Sequence, residues 1–208
     1  MKYKKDEMLR SLNQYSDWIF DLDNTLYSQE EYDLVAFHNL EVYLLKSGAC
    51  AQGVADVLFR EKRTKGPFDN NLFNRVFDQY GLRDYTGIAI DYYRAADFEF
   101  YSSSKMAEEI VRCSGSNRLF LVTNGHVKIQ NKKIRAIRGL SMFDGILICP
   151  HGEKNKLKPS RWGFDELDKK FSLRKPVYVG DSNKIDGGFA LNSGIEYINY
   201  EFKDEDWR

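Results

Sequence analysis

Two aspartates separated by a single residue, Asp21 and Asp23, close a short apolar run in "WIFDLDNTLY", residues 18–27. Carboxylates this close repel each other and are tolerated when a cation or a shared proton is present. Residues i and i+2 of a strand point to one face, so the pair is expected together at the strand's carboxyl end. In open α/β sheets that edge is where ligands bind. Such a pair offers metal binding, with one carboxylate used differently from the other. More polar groups follow in order: Thr123 and Asn124 in "LVTNG", Lys158 in "KLKPS", and Asp181 and Asp186 in "VGDSNKID".

Each of these groups falls at or just beyond an apolar run, except Lys158, which opens a helical pattern. The runs are "RLFLVT" (118–123), "GILICP" (145–150), "PVYVG" (176–180) and "IEYIN" (195–199). They are short and continuously apolar, as strands buried on both faces are. Helical patterns separate them in "VKIQNKKIRAIRGL", "RWGFDELDKKF" and "KIDGGFALNSG". Strands alternating with helices predict βαβ units, hence an α/β fold with a Rossmann-like parallel sheet. The stretch after the first strand is too long for one crossover. Leu72, Phe73, Val76, Phe77 and Tyr80 recur at helical spacing, as do Met106, Ile110 and Val111. Breaks are expected at Gly48, "KGPFDN" (65–70), Gly81 and "SSS" (102–104). The reading is a core of residues 1–28 and 105–208, interrupted by a helical insertion over 29–104.

The 208 residues carry 31 Lys plus Arg against 31 Asp plus Glu, and this balance disfavours a dedicated nucleic-acid binder. No apolar run is long enough for a membrane span. The amino-terminal segment "MKYKKDEMLRSLNQYSD" lacks the apolar stretch of a secretory signal. Cys50, Cys113 and Cys149 fit neither a disulfide framework nor a zinc spacing. Reduced thiols in a cytoplasmic protein are expected. The basic helix with Lys128, Lys132, Lys133, Arg135 and Arg138 reads as a solvated face, and so does the cluster Arg60, Lys62, Arg63 and Lys65. His126 follows "TNG" closely enough to line the mouth of a site, whereas His38 and His151 have no partner at ligand spacing.

The ordered set "DLDNT", "LVTNG", "LKPS" and "GDSNKID" resembles the four signature motifs of the haloacid dehalogenase superfamily, the aspartyl-nucleophile phosphohydrolases. The resemblance covers nearly everything after residue 16. It implies a sheet ordered fifth, fourth, first, second, third strand, with the insertion as a helical cap domain. It implies Asp21 as nucleophile forming an aspartyl-phosphate, and Asp23 as general acid and then general base. Mg²⁺ would be held by Asp21, Asp181 and the backbone carbonyl of Asp23. Thr123, the backbone near Asn124 and Lys158 would hold the phosphoryl oxygens. Asp186 would orient Lys158 or the metal shell, Thr25 would support the loop, and Tyr27 lies where the family's flap covers the site. An aspartate at position 23 points to a phosphatase or a phosphomutase rather than a dehalogenase. The expected substrate is a small phosphorylated metabolite, a sugar phosphate or a nucleotide monophosphate, handled by a monomer or homodimer. The alternative from another class is a non-catalytic phospho-acceptor or binding module.

Overall fold

The computed structural model describes residues 2–65, 69, 71–96 and 100–207. Its strands are β1 (Asp17–Phe20), β2 (Arg118–Gly125), β3 (Gly145–Pro150), β4 (Pro176–Gly180) and β5 (Glu196–Asn199). Its α-helices are α1 (Lys5–Leu12), α2 (Gln29–Lys46), α3 (Val54–Lys65), α4 (Leu72–Tyr80), α5 (Thr86–Ala95), α6 (Tyr101–Ser114), α7 (Val127–Ala136), α8 (Trp162–Phe171) and α9 (Gly188–Ser193). The chain divides into two compact units, Met1–Ser28 with Glu99–Arg208, and Gln29–Phe98.

The first unit is built on a parallel sheet in the order β3-β2-β1-β4-β5, the order the motif resemblance implies. The central strand β1 pairs with β2 and β4 in register, so Phe20 stands between Leu121 and Val179. Ile19, Phe120, Val122 and Tyr178 pack on one face against Phe164 and Leu167 of α8 and Phe189 and Ala190 of α9. The alternate residues Trp18, Phe20, Leu121, Val177 and Val179 are buried as well. Both faces are therefore covered, which is why these strands read as unbroken apolar runs rather than alternating ones.

At the amino end of β1 a charge is buried on purpose. The Asp17 carboxylate accepts from Arg118 Nε at 2.7 Å and Nη2 at 2.8 Å, and from the Arg174 backbone N–H at 2.5 Å. The bidentate pair fixes β1 to the first residue of β2 and satisfies a group that would otherwise be costly to bury.

Three local expectations need correction. Helix α1 precedes the sheet where none was anticipated; it is held by burial of Met8 and Leu12 one turn apart. "SSS" does not break the chain. Ser102, Ser103 and Ser104 are buried inside α6, where small side chains allow close packing, and Ser104 Oγ accepts from the Arg138 N–H at 3.0 Å. Helix α6 lies in the sheet unit, whereas the insertion was expected to run to residue 104. The break expected at "KGPFDN" lies, apart from Lys65 and Asp69, outside the described residues.

The second unit is helical, with Phe37, Leu40, Leu44, Val54, Leu58, Val76 and Phe77 at its centre. Gly81 ends α4 in the left-handed conformation. Lys62 departs from the solvated reading: its ammonium meets Asp33 Oδ1 at 2.6 Å and the Tyr93 hydroxyl at 2.7 Å. Arg60, Arg63 and Lys65 are exposed as expected. All three cysteines are free thiols. Among the described residues no helix is long and apolar enough to cross a membrane.

Arg118→Met strips Asp17 of its bidentate partner and leaves a buried carboxylate. Urea unfolding should show a loss of about 3 kcal/mol, the low end for breaking such a pair because Arg118 keeps one side in solvent. A loss below about 1 kcal/mol would mean that the Arg174 amide alone suffices.

Candidate active site

The carboxyl ends of β1, β2 and β4 are where the expected residues converge. β1 stops at Phe20, although the Asp21 N–H still donates to Val179 O at 2.9 Å and carries the ladder one residue further. The chain then turns. Asn24 adopts a left-handed φ of 59°, and the Thr25 and Leu26 amides return to Leu22 O at 3.3 and 2.9 Å. Strand alternation is thus not what places Asp23; a turn does, and the two aspartates acquire different neighbours.

Asp21 belongs to a buried cluster around Lys158. The Lys158 ammonium donates to Asp21 Oδ1 at 2.6 Å, Asp186 Oδ1 at 2.7 Å and the Tyr178 hydroxyl at 2.7 Å. Asp186 reaches this point because Asn183–Gly187 forms a single π-helical turn, with the Gly187 N–H returning to Ser182 O at 3.1 Å. Turns of this kind recur at functional sites. Its other oxygen, Oδ2, accepts from the Ser182 N–H at 3.0 Å. Gly180 makes the approach possible, since a Cβ there would stand 2.5 Å from Asp186 Cγ. Asn124 holds the backbone of Lys158 from the end of β2: its Oδ1 accepts from the Lys158 N–H at 2.8 Å and its Nδ2 donates to Lys158 O at 3.1 Å.

Asp23 sits in a second constellation. Lys133 Nζ donates to Asp23 Oδ1 at 2.9 Å, the Tyr27 hydroxyl donates to the same oxygen, and Gln130 Nε2 donates to Oδ2 at 3.2 Å. Gln130 also donates to Thr123 Oγ1 at 2.9 Å and Asn124 O at 3.2 Å. A side chain at Gly125 would collide with it, its Cβ falling 2.8 Å from Gln130 Cγ. The Thr123 hydroxyl is therefore turned toward Gln130. The Thr25 hydroxyl is buried and makes no hydrogen bond; Thr25 supports the loop through its backbone. His126 is exposed at the start of α7, and Tyr27 faces Asp23.

Gln130, Lys133 and Tyr178 are the residues that sequence reasoning missed. Gln130 and Lys133 are three apart and share one helix face. That face is apolar enough at Ile134 and Ile137 to point inward, so the signal was present in the spacing. Lys133 corrects the solvated reading of its helix: its side chain is only 6 % exposed, whereas Lys128, Arg135 and Arg138 do face solvent.

The electrostatics separate the two aspartates. Burial pushes the Asp21 carboxyl up to about 8; Lys158 opposes the rise, and the charges of Asp186 and Asp23 add to it. Burial, then Asp186, raises Asp181 to about 6. Burial also works against the Asp23 carboxylate, but Lys133 with the Tyr27 and Gln130 hydrogen bonds outweighs it, and Asp23 lies below the usual carboxylate range. Burial disfavours the Lys158 ammonium too, yet Asp21 and Asp186 hold it charged beyond its ordinary range.

Carboxylate oxygens of Asp21, Asp181 and Asp186 lie within 4.8 Å of one another. The cluster thus gathers three acids around one lysine, an excess of negative charge that a hard, oxygen-liganded divalent cation fits. Asp186 already uses both oxygens, on Lys158 and Ser182. Asp21 and Asp181 are the side chains that could hold Mg²⁺.

Solved structures of haloacid-dehalogenase-type hydrolases match this fold. A putative HAD-hydrolase, YfnB, from Bacillus subtilis, bound to magnesium, aligns with a TM-score of 0.61 at 18% identity over 88% of this chain and 85% of its own. A hydrolase from Streptococcus pneumoniae aligns at 0.54 and 19% identity, over 88% and 91% of the two chains. The L-2-haloacid dehalogenase of Xanthobacter autotrophicus aligns at 0.57 and 14% identity, over 88% and 76%. Identities this low establish the fold. No protein-family profile matches the chain, and no curated protein matches it.

Protons compete with a cation for raised carboxyls. Asp181 sheds its proton near pH 6 and Asp21 near pH 8. Mg²⁺ affinity measured by calorimetry should therefore tighten by about tenfold or more from pH 6 to pH 8. An affinity flat across that range would mean that neither carboxyl exchanges its proton for the cation there.

Proposed function

We propose that the chain is a Mg²⁺-dependent phosphatase that hydrolyses a small phosphorylated metabolite, a sugar phosphate or nucleoside monophosphate, through an aspartyl-phosphate on Asp21. One observation carries the reading. Two carboxylates two residues apart are given opposite environments, one in the Lys158 cluster and one held by Lys133, Tyr27 and Gln130. These surroundings suit Asp23 to the carboxylate form that the hydrolytic step uses as base, while Asp21, raised by burial, would be drawn back to the carboxylate by a bound Mg²⁺.

In the first half-reaction an Asp21 oxygen attacks phosphorus. The bond from phosphorus to the leaving oxygen breaks, and that oxygen takes a proton from Asp23, which has to gain one as the substrate binds, because Lys133, Tyr27 and Gln130 hold its carboxyl below the usual range. In the second half, water attacks phosphorus and gives its proton to the Asp23 carboxylate; the bond to Asp21 breaks and its electron pair returns to the Asp21 carboxylate. Held by Asp21, Asp181 and the Asp23 backbone carbonyl, Mg²⁺ would screen the repulsion between an anionic nucleophile and an anionic phosphate. Lys158 keeps Asp21 aimed through its 2.6 Å contact and offers positive charge to the phosphoryl oxygens. Asp186 and Tyr178 hold Lys158 in place. Asn124 fixes the backbone from which Lys158 projects. The helical unit Gln29–Phe98 is the cap that selects the substrate in this reading.

Asp21→Asn removes the nucleophile and keeps its shape. Phosphate release with Mg²⁺ should vanish while thermal unfolding stays cooperative; substantial residual turnover would place the nucleophile elsewhere. The role of Asp23 is tested through the leaving group. An alkoxide needs a proton as its bond breaks, and acid–base catalysis is worth about 10² to 10⁴ in rate. Asp23→Ala should lower kcat/KM by about that factor for an alkyl phosphate and far less for p-nitrophenyl phosphate. Equal losses on the two substrates would remove Asp23 as the acid.

A further inference from the structure

Lysines usually stretch along a surface and keep the ammonium in water. Lys133 does the opposite. Its side chain is 6 % exposed, and its ammonium sits 2.9 Å from Asp23 Oδ1 and 4.9 Å from the centre of the Tyr27 ring. Burying an ammonium costs free energy unless it meets an opposite charge, so this placement couples Lys133 to Asp23. Tyr27 is itself buried, with Phe100 edge-on at 5.1 Å. Gln130, one turn earlier on the helix of Lys133, takes the other oxygen of Asp23 and ties it to Thr123.

These contacts act on the one torsion that matters. The terminal torsion of an aspartate is broad and would otherwise leave the carboxylate plane free to rotate. Donors on both oxygens fix that plane. The Asp23 side chain is still 33 % exposed, so a water molecule or a leaving group can reach it. We propose that Lys133 is a positioning residue that fixes the Asp23 carboxylate as proton acceptor for the water that hydrolyses the Asp21 phosphoester. The inference rests on the phosphatase reading and adds to it the group that orients the base. In that step the attacking water forms a bond to phosphorus and passes its proton to Asp23. The bond to Asp21 breaks with its electron pair, and Lys133 keeps its own protons throughout.

The test uses the full chain with Mg²⁺ and p-nitrophenyl phosphate, whose leaving group departs without an acid. The expectation for Lys133→Met is a fall in kcat of about 10- to 100-fold, part of what acid–base catalysis contributes. kcat/KM, which reports formation of the phosphoenzyme, should change by less than about threefold. The same variant should release a burst of nitrophenolate, one per active site, as the Asp21 phosphoester accumulates. Lys133→Arg should restore part of kcat. In an Asp23→Ala background Lys133→Met should add nothing, because the two act through one group. Lys133→Gln gives the same readings if the methionine variant does not fold. Equal falls in kcat and kcat/KM without a burst, or additive losses in the double variant, would overturn the positioning role while leaving the phosphatase reading intact. Absence of Asp21-dependent turnover in the parent chain would overturn both.

Discussion

A single buried ammonium organises this molecule. Lys158 is almost wholly enclosed, and its three partners come from different parts of the chain: Asp21 after β1, Tyr178 within β4, and Asp186 in the turn beyond it. Neither sign of charge could be buried there without the other. The lysine alone would lose its hydration, and the two carboxylates alone would repel. Breaking a buried pair by removing one member typically costs about 3 to 5 kcal/mol, so each partner constrains the rest. The constraint runs outward into the fold. β1 and β4 must be neighbours for Asp21 and Tyr178 to meet one ammonium, Gly180 must lack a side chain, and Asn124 at the end of β2 must hold the backbone of Lys158.

The same geometry divides the labour of the two aspartates. Asp21 shares its lysine with another acid; burial raises its carboxyl, the charges of Asp186 and Asp23 add to the rise, and the gathered acids favour a divalent cation nearby. Asp23 has a lysine and two further donors directed at it, which lower its carboxyl. Gln130 connects the two regions, since it bonds Asp23, Thr123 and the Asn124 carbonyl at once. A shift of either aspartate would therefore be felt by the other through rigid polar contacts as well as through charge.

The sheet was legible because its strands are buried on both faces, and continuous apolar runs such as "PVYVG" have few other readings. The polar residues at its edge were legible because their order along the chain is constrained. Other features depend on tertiary packing that local pattern does not carry. Three consecutive serines look like a break, yet packing keeps them helical in α6. Lys133 looks like one more charge on a basic helix; its spacing with Gln130 and Ile134 marks an inward face, but the carboxylate it meets there comes from Asp23 across the site. The alternation that seemed to pair Asp21 with Asp23 ends with β1. The left-handed Asn24 redirects the chain, a feature invisible to a period-two argument.

A fold of this kind serves more than one reaction, so the choice among them must come from the site. The carboxylate of Asp21 and the ammonium of Lys158 would suit any displacement in which an aspartate attacks an electrophile. In the reading proposed above, Asp23 separates the chemistries. A halide departs as a stable anion and has no use for a proton donor beside it, whereas the alkoxide of a phosphate ester does. Around Asp23 the chain has placed a buried lysine, a buried tyrosine and a glutamine that needs Gly125 to fit. Burying a lysine and fixing three side chains around one carboxylate costs conformational and solvation free energy. On the proposed phosphatase reading that cost falls on the carboxylate assigned to proton transfer, which the same donors hold below the usual range for its part as base.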